Sequence, residues 1–201
     1  MSSSDIKMQD SNLEGQLLIA MPGMPDGRFS RSVVYMCAHS DDGAMGLIIN
    51  KPTDDLRFGD LLEQIDLFDD DETIELSEPD ARRPIHDGGP VEVDRGFVLH
   101  SPDYFAKSAT MTITDGICLT ATTDILKAIA SGSGPQRSML ALGYSGWGPG
   151  QLESELGANG WLNCPADPDL VFADDAAVKY DRALSKLGVD SSHLVNTAGR
   201  A

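Results

Sequence analysis

A single domain mixing α-helices and β-strands is what this sequence predicts, and three observations predict it. Apolar runs of strand length recur along the chain. Stripes of apolar residues at helical spacing lie between them. No internal repeat and no linker divides the 201 residues, a length that buries roughly 70% of the unfolded chain's surface without a metal or disulfide staple. A hydrophobic fraction of 41% is ordinary for a folded domain and argues against general disorder.

Residues 1–13 are polar and read as a flexible leader, 14–189 as the domain and 190–201 as a loose tail. Gly15–Ala20 reads as a strand, and Met21–Gly27, with two prolines and two glycines, as a loop. Ser32–Ala38 is β-branched and aromatic-rich, the strongest strand signal, and turns through His39–Gly43 to a return strand at Ala44–Asn50. Phe58, Leu61, Leu62 and Ile65 fall at i, i+3, i+4 and i+7, one apolar helix face. Asp69–Arg83 is an acidic connector and Gly88-Gly89-Pro90 a turn, with a strand predicted at Gly96–His100. Met111–Thr114 and Ile117–Thr120 flank Asp115-Gly116, a hairpin signal.

Thr123 precedes a helix carrying Ile125, Leu126 and Ile129 that stops near Gly132. Ser138–Leu142 reads as a buried strand and Gly143–Gly150 as a glycine-rich loop. A helix with Leu152 and Leu156 follows, with Pro149 near its first turn. Trp161-Leu162 and Leu170–Phe172 read as short strands. Asp174 or Asp175 caps a last helix, whose Ala177, Tyr180, Leu184 and Leu187 share a face before Gly188.

The formal net charge is −17, and Asp54–Asp80 alone holds twelve acids against one base, Arg57. Such a stretch serves as a solvated face or as a docking surface for a basic partner. Nucleic acid is a disfavoured partner, because displacing its counterions requires clustered Lys and Arg. Cys37, Cys118 and Cys164 are odd in number and widely spaced, which fits neither a disulfide framework nor a zinc ribbon; they read as small core residues. The first apolar run, Leu17–Met21, is too short for a signal h-region or a membrane span, so a cytoplasmic location is the default expectation.

Motifs for chemistry are sparse. Gly143-Tyr144-Ser145-Gly146-Trp147 resembles a nucleophile elbow but places an indole where that turn needs glycine. Gly146, Gly148 and Gly150 match neither a P-loop nor a dinucleotide fingerprint, although free N–H groups between a strand and a helix can hold an anion. Cys37 and His39 alternate on one strand face, with Asp41 and Asp42 beyond, too few convergent ligands for zinc. No catalytic residue, metal or cofactor is assigned. A candidate ligand-binding groove is built from Asn50, Lys51, Asp87, Gly88, Gly89, Arg95, His100 and Trp147, polar and glycine positions where strands meet loops. The same groups can satisfy one another, for example Arg95 with Asp87 or Asp94. The expected partner is a protein or a small ligand.

Several segments resemble one family when taken in order: Leu18–Pro22, Arg31–Tyr35, Gly43–Gly46 through Asn50-Lys51-Pro52, Gly88–Pro90, Asp94–Phe97 with Leu99-His100, Leu142–Tyr144 with Trp147, Gly150–Glu153, Trp161-Leu162 and Pro165–Asp167. The chain is similar to the bacterial AlgH/YqgE family from about Leu17 to Val189. That resemblance implies a compact α+β fold, a mixed, bent β-sheet tending to a pseudo-barrel with flanking helices. It also implies a bacterial cytosolic protein and carries a label of transcriptional regulator, which the net charge fits poorly. It supplies no catalytic residues. The acidic 54–80 stretch and the leader depart from the family pattern.

Overall fold

The computed structural model describes residues 12–68 and 74–194. Residues 1–11 of the expected leader, 69–73 of the acidic connector and 195–201 of the expected tail lie outside the described residues. The elements begin with β1 (Gln16–Ala20), β2 (Val33–Ser40), β3 (Gly43–Ile48) and β4 (Pro52–Arg57), then α1 (Phe58–Gln64) and α2 (Glu78–Ala81). The strands β5 (Pro84–Asp87), β6 (Val91–His100), β7 (Thr110–Thr114) and β8 (Ile117–Thr120) lead to α3 (Asp124–Ala130). The chain closes with β9 (Ser138–Trp147), α4 (Gln151–Gly157), β10 (Trp161–Pro165), α5 (Pro168–Val171) and α6 (Lys179–Lys186).

The main path of the sheet is antiparallel, in the order β10-β1-β2-β3-β9-β6-β8-β7. The sheet curls so far that the Thr114 methyl of β7 packs on Gly15 before β1, and Gly116 packs on Pro168. Both faces are covered. Leu17, Ile19, Val33, Tyr35, Cys37, Phe97 and Leu99 point into the concave core with α5 and α6. Leu18, Ala20, Val34 and Met36 point outward beneath α4, while Val98 and Leu140 pack under α1 and α3. A strand buried on both faces needs apolar residues at every position, which is why β1 and β2 read as continuous apolar runs.

β9 organises the molecule. One edge pairs with β6. The other is shared: Leu140–Leu142 runs parallel to β5, and Ser145–Trp147 runs antiparallel to β3. The predicted glycine-rich loop is therefore corrected, because Gly143–Trp147 continues the strand. Gly143 accommodates close approach of the Gly89 and Val91 backbones, so a missing side chain here permits pairing rather than breaking it. Leu170–Phe172 is also corrected: it is the helix α5 and its C-cap, with Asp167 accepting from the Leu170 N–H at 2.8 Å and Pro168 in the first turn. β4, β5 and α2 add elements to stretches that carried no such prediction.

All three cysteines are free and buried. Burial pushes the Cys37 and Cys164 thiols up. Ellman's reagent is expected to label none of them in the native protein and all three in denaturant; rapid native labelling would place a thiol at the surface.

Candidate functional site

The polar residues flagged in the sequence gather in part. Asn50, just past β3, accepts the Val33 N–H at 2.8 Å and donates to the Arg31 carbonyl at 2.8 Å, pinning the entry to β2. Lys51 donates from Nζ to the Arg28 carbonyl at 2.5 Å. Burial lowers its pKa, against the opposing charges of Asp87 and Asp26. The Asp87 carboxylate accepts the Gly89 N–H at 3.1 Å. Gly88 stands where β9 exchanges β5 for β3: its N–H donates to Leu142, and its carbonyl accepts from Ile48 N–H and Ser145 Oγ. A Cβ at Gly89, where φ is +148°, would collide with the Tyr144 backbone, so only glycine fits.

This node fixes the Gly88-Gly89-Pro90 turn beside an open groove of about 470 Å³, bounded by the Met24–Phe29 loop, Pro90, Val91 and α4. Its floor is aromatic. The Trp147 and Trp161 rings meet edge to face at 6.0 Å, and Phe29 lies 5.6 Å from Trp161 and 6.4 Å from Trp147. One carboxylate locks both indoles: Glu155 Oε2 accepts Trp147 Nε1–H at 2.9 Å and Trp161 Nε1–H at 2.8 Å, while its Oε1 accepts from Gln151 at 3.0 Å. Trp147 and Trp161 are only 6% and 3% exposed, so they shape the floor, and Phe29 and Met24 stand higher on the wall. At the rim Arg28 is paired with Asp26 at 2.7 Å, and that bond holds the Asp26 carboxyl below its ordinary range.

A second hollow of about 580 Å³ shares Val91, Gly146 and Trp147 with the first but lies mainly over Met45, Phe97 and Tyr144 of the concave side. It is built by an irregularity in β6, whose pairing with β9 breaks between Val91 and Gly96. Glu92 there adopts φ +46°, an uncommon left-handed conformation for a non-glycine residue. The displaced stretch brings Arg95 over the Phe97 ring at 5.2 Å. Arg95 is bonded to Glu92 at 3.3 Å, rather than to Asp87 or Asp94.

His100 lies at the far end of β6 and is fully buried. Its Nδ1–H donates to Ser101 O at 2.9 Å, and its Nε2 meets the Thr120 hydroxyl at 2.8 Å; burial lowers its pKa. It joins β6 to β8 and does not line the groove. His39 accepts the Leu13 N–H through Nδ1 and holds Glu153 through Nε2 at 2.7 Å. No group of three or more His, Cys, Asp or Glu converges for a metal among the described residues. Ser145 is buried against the Gly88 carbonyl. The Gly148 N–H is taken by Gln151 at 3.0 Å, and Gly146 belongs to β9. Phe29, Glu155 and Trp161 were not singled out as site residues in the sequence. A usable signal existed: the chain has two tryptophans, and buried indole N–H groups require an acceptor.

The fold and groove define an α+β domain whose antiparallel sheet curls into a half-barrel flanked by six helices among the described residues. The chain belongs to the AlgH-like family, DUF179, whose model matches residues 17–192. It is 60% identical over 189 residues to a UPF0301 protein of Afipia carboxidovorans, covering 94% of this chain and 90% of that one. It is 58% identical over 189 residues to a UPF0301 protein of Methylobacterium sp. strain 4-46, with the same coverage. The solution structure of AlgH from Pseudomonas aeruginosa superposes with a TM-score of 0.76 at 39% identity, covering all of both chains. A Corynebacterium diphtheriae protein shares the fold, with a TM-score of 0.67 at 20% identity over 87% of this chain and 86% of that one.

Proposed function

We propose that this AlgH-like protein is a non-enzymatic regulatory binding protein whose aromatic groove takes an extended, basic and apolar segment of a protein partner. The supporting observation is the Phe29–Trp147–Trp161 floor locked by Glu155 within an acidic rim. Asp26, Asp42, Glu92 and Glu155 outnumber Arg28 and Arg95 four to two across the linings of the two hollows, with Asp26 and Glu92 paired to those guanidiniums and Glu155 bonded to the indoles. A cationic segment meets that charge; a polyanion does not. Aromatic-walled grooves bind extended peptides through ring faces and fixed polar neighbours. The groove's ionisable side chains hold the wall together, which suits recognition better than proton transfer. No described helix is long and apolar enough to cross a membrane. The buried free thiols suit a reducing bacterial cytosol.

Tryptophan emission during peptide titration tests the reading. A basic peptide rich in Pro and aromatic residues is expected to bind at least about tenfold more tightly than its Glu-substituted counterpart. That preference should shrink with salt, and Phe29→Ala should weaken it by about tenfold. Equal affinity for both peptides, or no response at millimolar peptide, would refute the proposal.

A further inference from the structure

A separate pocket of about 150 Å³ opens on the opposite flank, between α1, α3 and the β6–β9 pair. Its walls are Leu61, Ile65, Phe97, Leu126, Leu140 and Leu142. Ile65 remains 39% exposed at the edge, so the apolar lining reaches solvent instead of closing over. A chamber of this size admits a benzene-sized body. Three solvent-exposed polar side chains stand at the mouth, Asp94, Thr122 and Thr123, while the buried Thr120 of the lining is bonded to His100. Among the described residues none of the three has a hydrogen-bond or ionic partner, and Thr123 stands at the α3 N-cap position without a side-chain bond to the helix. This contrasts with the aromatic groove, whose polar groups are committed to one another. An apolar chamber with a few convergent, unengaged polar groups is the usual build of a small-molecule site.

We infer that this pocket is a binding site for a small amphipathic amine, its apolar body of about six to seven heavy atoms filling the chamber and its ammonium at Asp94. Charge decides the head group. Asp94 is the charged side chain among the described residues that line the pocket. The nearest opposing cation on α3, Lys127, is turned toward the Phe68 ring at 5.9 Å. A carboxylate or phosphate head would meet repulsion, and a neutral alcohol would use only the threonines. The volume limits the ligand to a single ring or a short branched chain.

Benzylamine, benzyl alcohol and benzoate serve as probes, followed through the methyl resonances of the intact protein. Benzylamine is expected to shift Leu61, Leu126 and Leu142 saturably and to bind about tenfold more tightly than benzoate, with benzyl alcohol between them. Asp94→Asn should weaken the amine about threefold and leave the alcohol unchanged, which separates charge from shape. Leu142→Phe, which fills the chamber, should abolish all three; Leu126→Phe provides the same test should that variant fail to fold. The two indole resonances should stay fixed, which keeps this result apart from the fate of the aromatic groove. The inference fails if no methyl moves at about 10 mM probe, or if amine and benzoate bind alike.

Discussion

Lys179→Ala is expected to cost about 3 kcal/mol of unfolding free energy, read from denaturant midpoints at constant slope. Lys179 is 1% exposed at the start of α6, and its Nζ donates to Ile49 O at 2.9 Å and Val171 O at 2.8 Å. One side chain therefore ties α6 to α5 and to the end of β3. Truncation leaves two buried carbonyls short of a donor, each costing about 1–3 kcal/mol, and opens a cavity; relief from burying an ammonium offsets part of this.

The same site makes stability depend on pH. Burial pushes the Lys179 pKa down to about 8 from its ordinary 10.5, against the raising effect of Asp174. Between those values the unfolded chain holds a proton that the folded chain has released, so this contribution to stability rises with pH across that window. Below about 8 both states are charged and the burial penalty is present in full. The neutral amine still has two N–H donors for the two carbonyls. The gain is about 3 kcal/mol. Tyr35 and Cys37, whose pKa values are raised by burial, act in the opposite direction at high pH. The measurement is thus the difference between wild type and Lys179→Met from pH 7 to 10.5. A difference that stays flat would show that the ammonium is not penalised by its surroundings.

Glu155→Ala is expected to cost about 2–4 kcal/mol and to loosen the groove floor. Two indole N–H groups and the Gln151 amide lose their acceptor together. Near-UV circular dichroism should lose intensity as the Trp147 and Trp161 rings gain freedom. Glu155→Gln retains one oxygen for the indoles but turns an amide NH2 toward the Gln151 donor, so about 1 kcal/mol is expected. Unchanged stability and unchanged aromatic dichroism in Glu155→Ala would mean that the rings are held by packing alone.

The sequence made the strands of the two-sided core legible because Leu17–Ala20 and Val33–Cys37 are apolar at every position. It concealed β9's second half, because Gly143 and Gly146 read as turn residues until their tight neighbours, the Gly89 carbonyl and the Tyr144 ring, are known. Leu170–Phe172 was ambiguous by length alone, and Asp167-Pro168 ahead of it was the helix signal that should have decided. β4 begins at Pro52 and carries Asp54 and Asp55, residues depleted in strands; edge pairing to β5 overrides that preference. Gly88-Gly89 was legible as a turn and Trp147 as a residue beside it, whereas Trp161, the other indole of the floor, read only as part of a short strand. Phe29 and Glu155 were hidden because their roles exist only once three distant segments converge. His100 looked equally polar in sequence, and only tertiary pairing with Thr120 shows it as part of the core.

The two tryptophans give two indole N–H resonances, one for each side of the groove floor. In a nitrogen–proton correlation spectrum titrated with the basic peptide, both are expected to shift together with the backbone signals of Phe29 and Val91, on one saturation curve. Indole signals that hold still while peptide-induced shifts map to another face would contradict the groove as the binding surface.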